Sequence, residues 1–192
     1  MIQVTQEGTD IFSLQLFSPS FLREMARRLS NYQRWDAAGV YYDTPQARAI
    51  PGFRVARERR LNAFPFMARA YKSLLASVIK PTVRLCWLRP TDDLTTEAKI
   101  VRYDPGGHFD VHFDANTIKP RRLLSLVCYL NADFTGGQTR FLRQNVTISP
   151  SPGKAILFPS SVTHPHQALP VLEGRKFVLT AWLCQRPVRN SK

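Results

Sequence analysis

Near residue 83 the hydrophobic period of this chain changes from that of a helix to that of a strand, so no all-helical and no all-strand fold fits its whole length. Upstream, Ser18-Pro19-Ser20 is a helix start, with Ser18 at the N-cap and Pro19 in the first helical position. Phe21, Leu22, Met25, Ala26 and Leu29 then recur at helical spacing, and a second such face follows Pro65, with Met67, Ala70, Tyr71, Leu74, Leu75 and Val78. Between them, residues 33–62 are irregular and rich in Arg, and are expected to form a mobile or substrate-facing segment.

Downstream, short β-rich runs occupy 83–88, 99–103, 108–114, 123–130, 139–142, 146–148, 155–158, 162–168 and 177–184. Pro105-Gly106-Gly107, Gly136-Gly137, the stretch from Pro150 to Gly153, and Glu173-Gly174 punctuate them. Strands this short at such regular spacing predict an antiparallel sandwich or barrel. The fold class is α+β: a double-stranded β-helix (jelly roll) with N-terminal supporting helices packed on one sheet. Within one compact domain, 1–96 is the helical support and variable segment, 97–187 the jelly-roll core and 188–192 a tail.

A chain of 192 residues buries roughly 70% of its unfolded surface and needs no disulfide or metal to fold. A hydrophobic content of 44%, with 12 Phe, 6 Tyr and 3 Trp, excludes a disordered tail protein. No apolar stretch approaches the ~20 residues of a membrane span, Met1 to Glu7 lacks a basic leader, and Ile11 to Phe17 is too short and polar for a signal core. Cys86, Cys128 and Cys184 are widely spaced and read as free thiols in a reducing compartment, so a cytoplasmic location is expected. The net charge of +13 favours an anionic partner, although a solvated basic surface accounts for it equally well. The basic runs Arg57 to Arg60 and Lys119 to Arg122 lack the interleaved aromatics of a base-stacking platform, which argues against nucleic acid.

All four histidines fall in two clusters, His108 with His112 and His164 with His166. On a regular strand, His108, Asp110, His112 and Asp114 share one face and Phe109, Val111 and Phe113 the other. Imidazole and carboxylate two residues apart, joined by a histidine from a distant strand, make a 2-His-1-carboxylate face with open positions for Fe(II). Zinc is the alternative metal.

The order of motifs is more specific than any one of them. Tyr103-Asp104-Pro105-Gly106-Gly107, His112-Phe113-Asp114, Arg122 to Tyr129-Leu130-Asn131, Gly136-Gly137-Gln138-Thr139-Arg140-Phe141, Pro152-Gly153-Lys154-Ala155-Ile156-Leu157-Phe158, His166 to Pro170-Val171 and Gly174-Arg175-Lys176 follow in sequence. Over about 97 to 186 this run resembles the prolyl 4-hydroxylase-like branch of the Fe(II)/2-oxoglutarate-dependent oxygenases. The resemblance implies a metal histidine nine residues after the tyrosine of the Tyr-x-x-Gly element, which selects His112 and Asp114 and leaves His108 and Asp110 at the pocket mouth. It also implies a distal histidine ten residues before the cosubstrate's basic residue, which selects His166 with Lys176 over His164.

Strand parity separates Lys176, Val178, Thr180 and Trp182 from Arg175, so Lys176 and Thr180 are expected to hold the far carboxylate of 2-oxoglutarate. Tyr129 resembles the family tyrosine that reaches the same carboxylate, and Tyr103 the one lining the cosubstrate pocket. Gly136-Gly137 is expected to turn the chain and allow close backbone approach, and Trp182 to pack the barrel. Gln138 and Ser125 stand where the family usually has Glu and Thr, neither touching an expected ligand. The resemblance implies Fe(II), 2-oxoglutarate and O2, with ascorbate as a stimulant. It implies a dioxygenase that hydroxylates an unactivated C–H bond and releases succinate and CO2. Asp114 favours hydroxylation, because related halogenases replace this carboxylate with Gly or Ala. The short chain points to an amino-acid-like or small-molecule substrate, possibly anionic and facing Arg54 to Arg60. A protein or peptide prolyl substrate is the alternative, and a non-catalytic metal-binding jelly-roll module the reading from another class.

Overall fold

The structure is a computed structural model and describes residues 3–40, 46, 48, 50–75 and 94–186. Val78, the run at 83–88, Cys86 and the expected tail at 188–192 lie outside the described residues. The helices form where the sequence places them. Helix α1 (Pro19–Asn31) starts at Ser18, whose Oγ accepts from the Phe21 amide at 3.3 Å. Such a cap contributes about 1 kcal/mol. Leu22, Met25 and Leu29 form the buried stripe of α1, while Met67 and Tyr71 are buried on α2 (Pro65–Leu74).

Two antiparallel sheets make the jelly roll. The strands of the first are β1 (Val4–Gly8), β2 (Ile11–Gln15), β3 (Asp36–Ala37), β5 (Arg57–Arg60), β6 (Leu94–Tyr103), β8 (Arg122–Tyr129), β12 (Lys154–Pro159) and β15 (Lys176–Gln185). They form eight strands in the order β1-β2-β12-β8-β15-β6-β5-β3. The second sheet takes β4 (Arg54–Val55), β7 (His108–His112), β10 (Thr139–Phe141), β11 (Val146–Ile148) and β13 (His166–Ala168), in the order β11-β10-β13-β7-β4. A separate pair joins β9 (Phe134–Gly136) to β14 (Val171–Gly174).

Alternation along the strands divides the interior into two cores. Leu124, Leu126, Leu179, Ala181 and Leu183 face the two helices, so the helices cover one sheet as the amphipathic patterns require. Tyr129, Ile156, Phe158 and Val178, one residue out of phase, face the second sheet. Burying each such side chain contributes roughly 1.5–3 kcal/mol.

The N-terminal half departs from its expected helical character. The hairpin β1–β2 joins the large sheet through β12, and residues 54–60 give one strand to each sheet, β4 pairing with β7 and β5 with β6. Charge hides these strands from pattern reading. Arg57-Glu58-Arg59-Arg60 is polar at every position, yet forms a strand one in from the sheet edge, where Glu58 pairs with Arg54 and Lys99 and Arg59 with Asp36.

Candidate active site

One cavity of roughly 590 Å³ lies between the two sheets, and the residues that carry chemistry meet in it. His112 ends β7, His166 opens β13, and these two residues are cross-strand partners. Asp114 follows β7 by two residues. Its carboxylate lies 3.8 Å from His112 Nε2 and 3.7 Å from His166 Nε2. The ligand atoms of His112, Asp114 and His166 all lie within 4.8 Å of one another.

Backbone carbonyls fix both imidazoles. His112 Nδ1–H donates to Asp110 O at 2.7 Å and His166 Nδ1–H to His164 O at 3.0 Å, which leaves each Nε2 lone pair turned toward Asp114. Burial, then the neighbouring His166, pushes His112 far below the usual histidine value, so it is neutral. Burial alone would raise Asp114, but His166, His112, the Ser125 hydroxyl and Arg122 outweigh it and hold the carboxylate ionised. Two imidazoles that turn Nε2 toward one carboxylate on a cavity wall make the donor set of a facial Fe(II) site.

Residues 108–114 do not alternate as a regular strand would. Three residues of β13 oppose four of β7, with His166 opposite His112 and Ala168 opposite Phe109. This bulge turns Phe109 in beside His112, their ring centroids 3.5 Å apart, and sets Asp110 outward. His108 leaves the cluster altogether. Its ring nitrogens lie 2.9 Å from Gly106 O and 2.8 Å from Gly52 O, tying two turns together. His164 also points elsewhere, toward Thr163 Oγ1 and Thr9 O, and serves the site through its carbonyl.

Lys176 occupies the other end. It is 1% exposed, its Nζ donates to Gly137 O at 2.6 Å, and the rings of Tyr103 and Tyr129 lie 4.9 and 5.4 Å from it. The carbonyl is within reach because Gly136 and Gly137 both have positive φ (75° and 66°), a turn that β-carbons would obstruct. Burial lowers the Lys176 pKa to about 7. Arg175, on the opposite face, pairs with Asp104 at 2.9 Å.

Thr180 faces the cavity as parity requires, but four strand residues separate it from Lys176 by about 13 Å. The hydroxyl that lines the cavity at the lysine end is Thr139, held by Tyr129 Oη at 2.7 Å. Tyr129 stands behind it, not on the cavity wall. Sequence reasoning passed over Thr139 because it lies in a run read for its glycines; its alternation with Phe141 was the available signal.

Two further residues differ from expectation. Ser125 does touch a ligand: its hydroxyl donates to Asp114 Oδ2 at 2.5 Å, with Ser160 Oγ 2.8 Å behind it. Trp182 does not simply pack the barrel, because it lines the cavity with the Arg122 guanidinium 3.7 Å from its ring centroid.

Residues 98–184 match the sequence model of the 2OG-Fe(II) oxygenase superfamily. The chain is 26% identical over 179 residues to procollagen-lysine,2-oxoglutarate 5-dioxygenase 1 of Gallus gallus, covering 91% of this chain and 24% of the relative. Against procollagen-lysine,2-oxoglutarate 5-dioxygenase 2 of Homo sapiens it is 25% identical over 185 residues, covering 94% and 24%. The chain thus spans about a quarter of the length of these curated relatives. Among solved structures, a Pseudomonas putida prolyl-4-hydroxylase superposes with a TM-score of 0.63 at 21% identity, covering 93% of this chain and 94% of that one. A prolyl hydroxylase from Trichoplax adhaerens, in complex with a hypoxia inducible factor oxygen degradation domain peptide fragment, gives 0.73 at 18% identity, covering 92% and 84%. No described helix is long and apolar enough to cross a membrane.

Proposed function

We propose that this chain, whose residues 98–184 match the 2OG-Fe(II) oxygenase superfamily, is an oxygenase of that kind and hydroxylates an aliphatic C–H bond of a residue in a polypeptide. The observation that carries this reading is one cavity with a 2-His-1-carboxylate cluster at one end and a buried lysine at the other. The reaction balances as R–H + O2 + 2-oxoglutarate → R–OH + succinate + CO2. Fe(II), when bound, supplies the activation of O2.

The protein's own residues bind, orient and exclude water. His112, Asp114 and His166 would hold the iron, with Asp110 O and His164 O fixing the imidazoles and Ser125 the carboxylate. Lys176 would bind the C5 carboxylate of 2-oxoglutarate, with the Thr139 hydroxyl beside it. A buried dianion needs a cation and oriented donors to offset its lost hydration. Val127, Ala168 and Val178 close the walls against water. Thr180 is assigned to the substrate end of the cavity.

Relatives named for procollagen lysine, and a structural neighbour named for a peptide complex, support a polypeptide substrate over the small molecule that chain length alone suggests. The test is succinate formation from 2-oxoglutarate under O2, with and without Fe(II), for wild type, His112→Ala and Asp114→Ala. Iron-dependent succinate lost in both variants is expected. Turnover that is indifferent to iron and to both substitutions would sink the reading.

A further inference from the structure

Beyond the metal cluster and Lys176, the cavity wall carries a second group of charges. Arg54 Nη2 lies 3.0 Å and Lys99 Nζ 2.7 Å from the same Glu58 carboxylate. Two cations therefore share one anion, and both line the cavity. Arg122, whose side chain is 9% exposed, lies 2.7 Å from Glu97, which also answers Lys119 at 3.3 Å. Lys99 and Arg122 both stand over Trp182, at 5.2 and 3.7 Å from its ring.

Three N–H donors on this wall have no acceptor: Arg54 Nε, Arg122 Nε and Trp182 Nε1 are buried without a hydrogen-bond partner. Buried donors are nearly always satisfied. All three are donors, so on this wall donors outnumber acceptors. Burial, and then Arg54, lowers Lys99 to about 8, and the three cations Arg54, Lys99 and Arg122 share the two carboxylates of Glu58 and Glu97.

The group adjoins the reacting end. Arg54 Cζ lies 4.6 Å over the Phe109 ring, Phe109 stacks on His112, and Arg122 Nη1 donates to Asp114 O at 3.3 Å. With cofactors bound, the positive charges of Fe(II) and Lys176 match the negative charges of Asp114 and 2-oxoglutarate. The excess on the outer wall is then left for the substrate. Val111, Phe113 and Val162, each more than 40% exposed, form an apolar rim on the same mouth.

We propose that Arg54, Lys99, Arg122 and Trp182 form a substrate subsite for a carboxylate next to the C–H bond that reacts, and that this subsite rejects a lysine side chain there. The assignment rests on the oxygenase reading. The carboxylate is that of an acidic residue in a polypeptide; a free amino acid is the other source of the same group.

The experiment uses the Fe(II)- and 2-oxoglutarate-loaded enzyme and two substrate pools. One holds capped heptapeptides randomised around a central proline or lysine, and the other free amino acids and their N-acetyl derivatives. Products 16 Da heavier are sequenced, and succinate is measured in the same tubes. Peptides bearing Asp or Glu are expected to exceed their Asn and Gln counterparts by at least 10-fold, and Kd for an acidic peptide to rise with salt. Arg54→Gln and Lys99→Gln should bring the acid-to-amide ratio toward 1, a ratio read within each variant whatever its absolute rate. Acidic products from the small-molecule pool alone would keep the subsite and remove the polypeptide reading. Amide- or lysine-bearing members turning over as fast as acidic ones, or no acidic product from either pool, would overturn it. Failure of the oxygenase reading is separate, because iron-dependent succinate would then be missing from every tube.

Discussion

Lys176, proposed above to bind the cosubstrate, shows how burial sets the pH range in which a lysine carries charge. It has no carboxylate partner among the described residues, only the Gly137 carbonyl and two aromatic faces. Its folded-state pKa of about 7 lies below the ordinary lysine value, because burial penalises the ammonium. A dianion binds the protonated form, so affinity is full below pH 7 and is lost as pH rises through that value. Calorimetric titration of the metal-loaded protein should give a flat Kd for 2-oxoglutarate below pH 7. Above it, Kd should weaken by about 10-fold per unit, the linkage for one proton. A Kd independent of pH between 6 and 9 would remove Lys176 from the role.

Among elements, the metal cluster draws on both sheets. His112 and His166 are neighbours in the five-stranded sheet. Asp114 is pinned from the eight-stranded one, by Ser125 on β8 and by the Ser160 carbonyl just past β12, which accepts from the Asp114 amide at 3.0 Å. The β7 bulge allows this, since it aims His112 inward and lets the chain leave the sheet in time to place the carboxylate between the imidazoles. Ser125→Ala frees one carboxylate oxygen without touching a ligand. Metal affinity should fall 10–100-fold, the usual cost of losing an outer-shell partner, while the thermal midpoint of the metal-free protein stays within a few degrees. Unchanged affinity would mean that Ser160 and Arg122 hold Asp114 without it.

For the whole molecule, two ligands on one sheet and a third pinned by the other make a bound metal a cross-link of the sandwich. An ion that binds only the folded chain stabilises it by about 2.7 kcal/mol at 100 times its Kd. In a domain of this size that is a rise in Tm of roughly 5–11 °C. Thermal unfolding with Fe(II) or Mn(II) should show this rise in wild type and lose it in His166→Ala. An equal rise in that variant would place the metal elsewhere.

How much of this was legible in the sequence follows from how far each residue's role depends on local pattern. Period and turn chemistry are local, so α1, its Ser18 cap and the strands after residue 94 other than β9 and β14 could be read directly. Parity on β15 separated Lys176 from Arg175 because a regular strand carries its alternation unaided. His112, Asp114 and His166 were legible only through the resemblance, which sets them by their distances from Tyr103 and Lys176. Strands β4 and β5 were hidden, because a strand paired through charged side chains has no apolar period to detect. The β7 bulge was hidden too, since an unpaired residue is defined by the partner strand and not by its own sequence. Thr139, Ser125 and the cations around Trp182 acquired their places only when distant strands closed on one cavity. Local sequence chooses the element and the face of each side chain. Which side chains face one another is decided by register and sheet packing, which act between segments far apart in the chain.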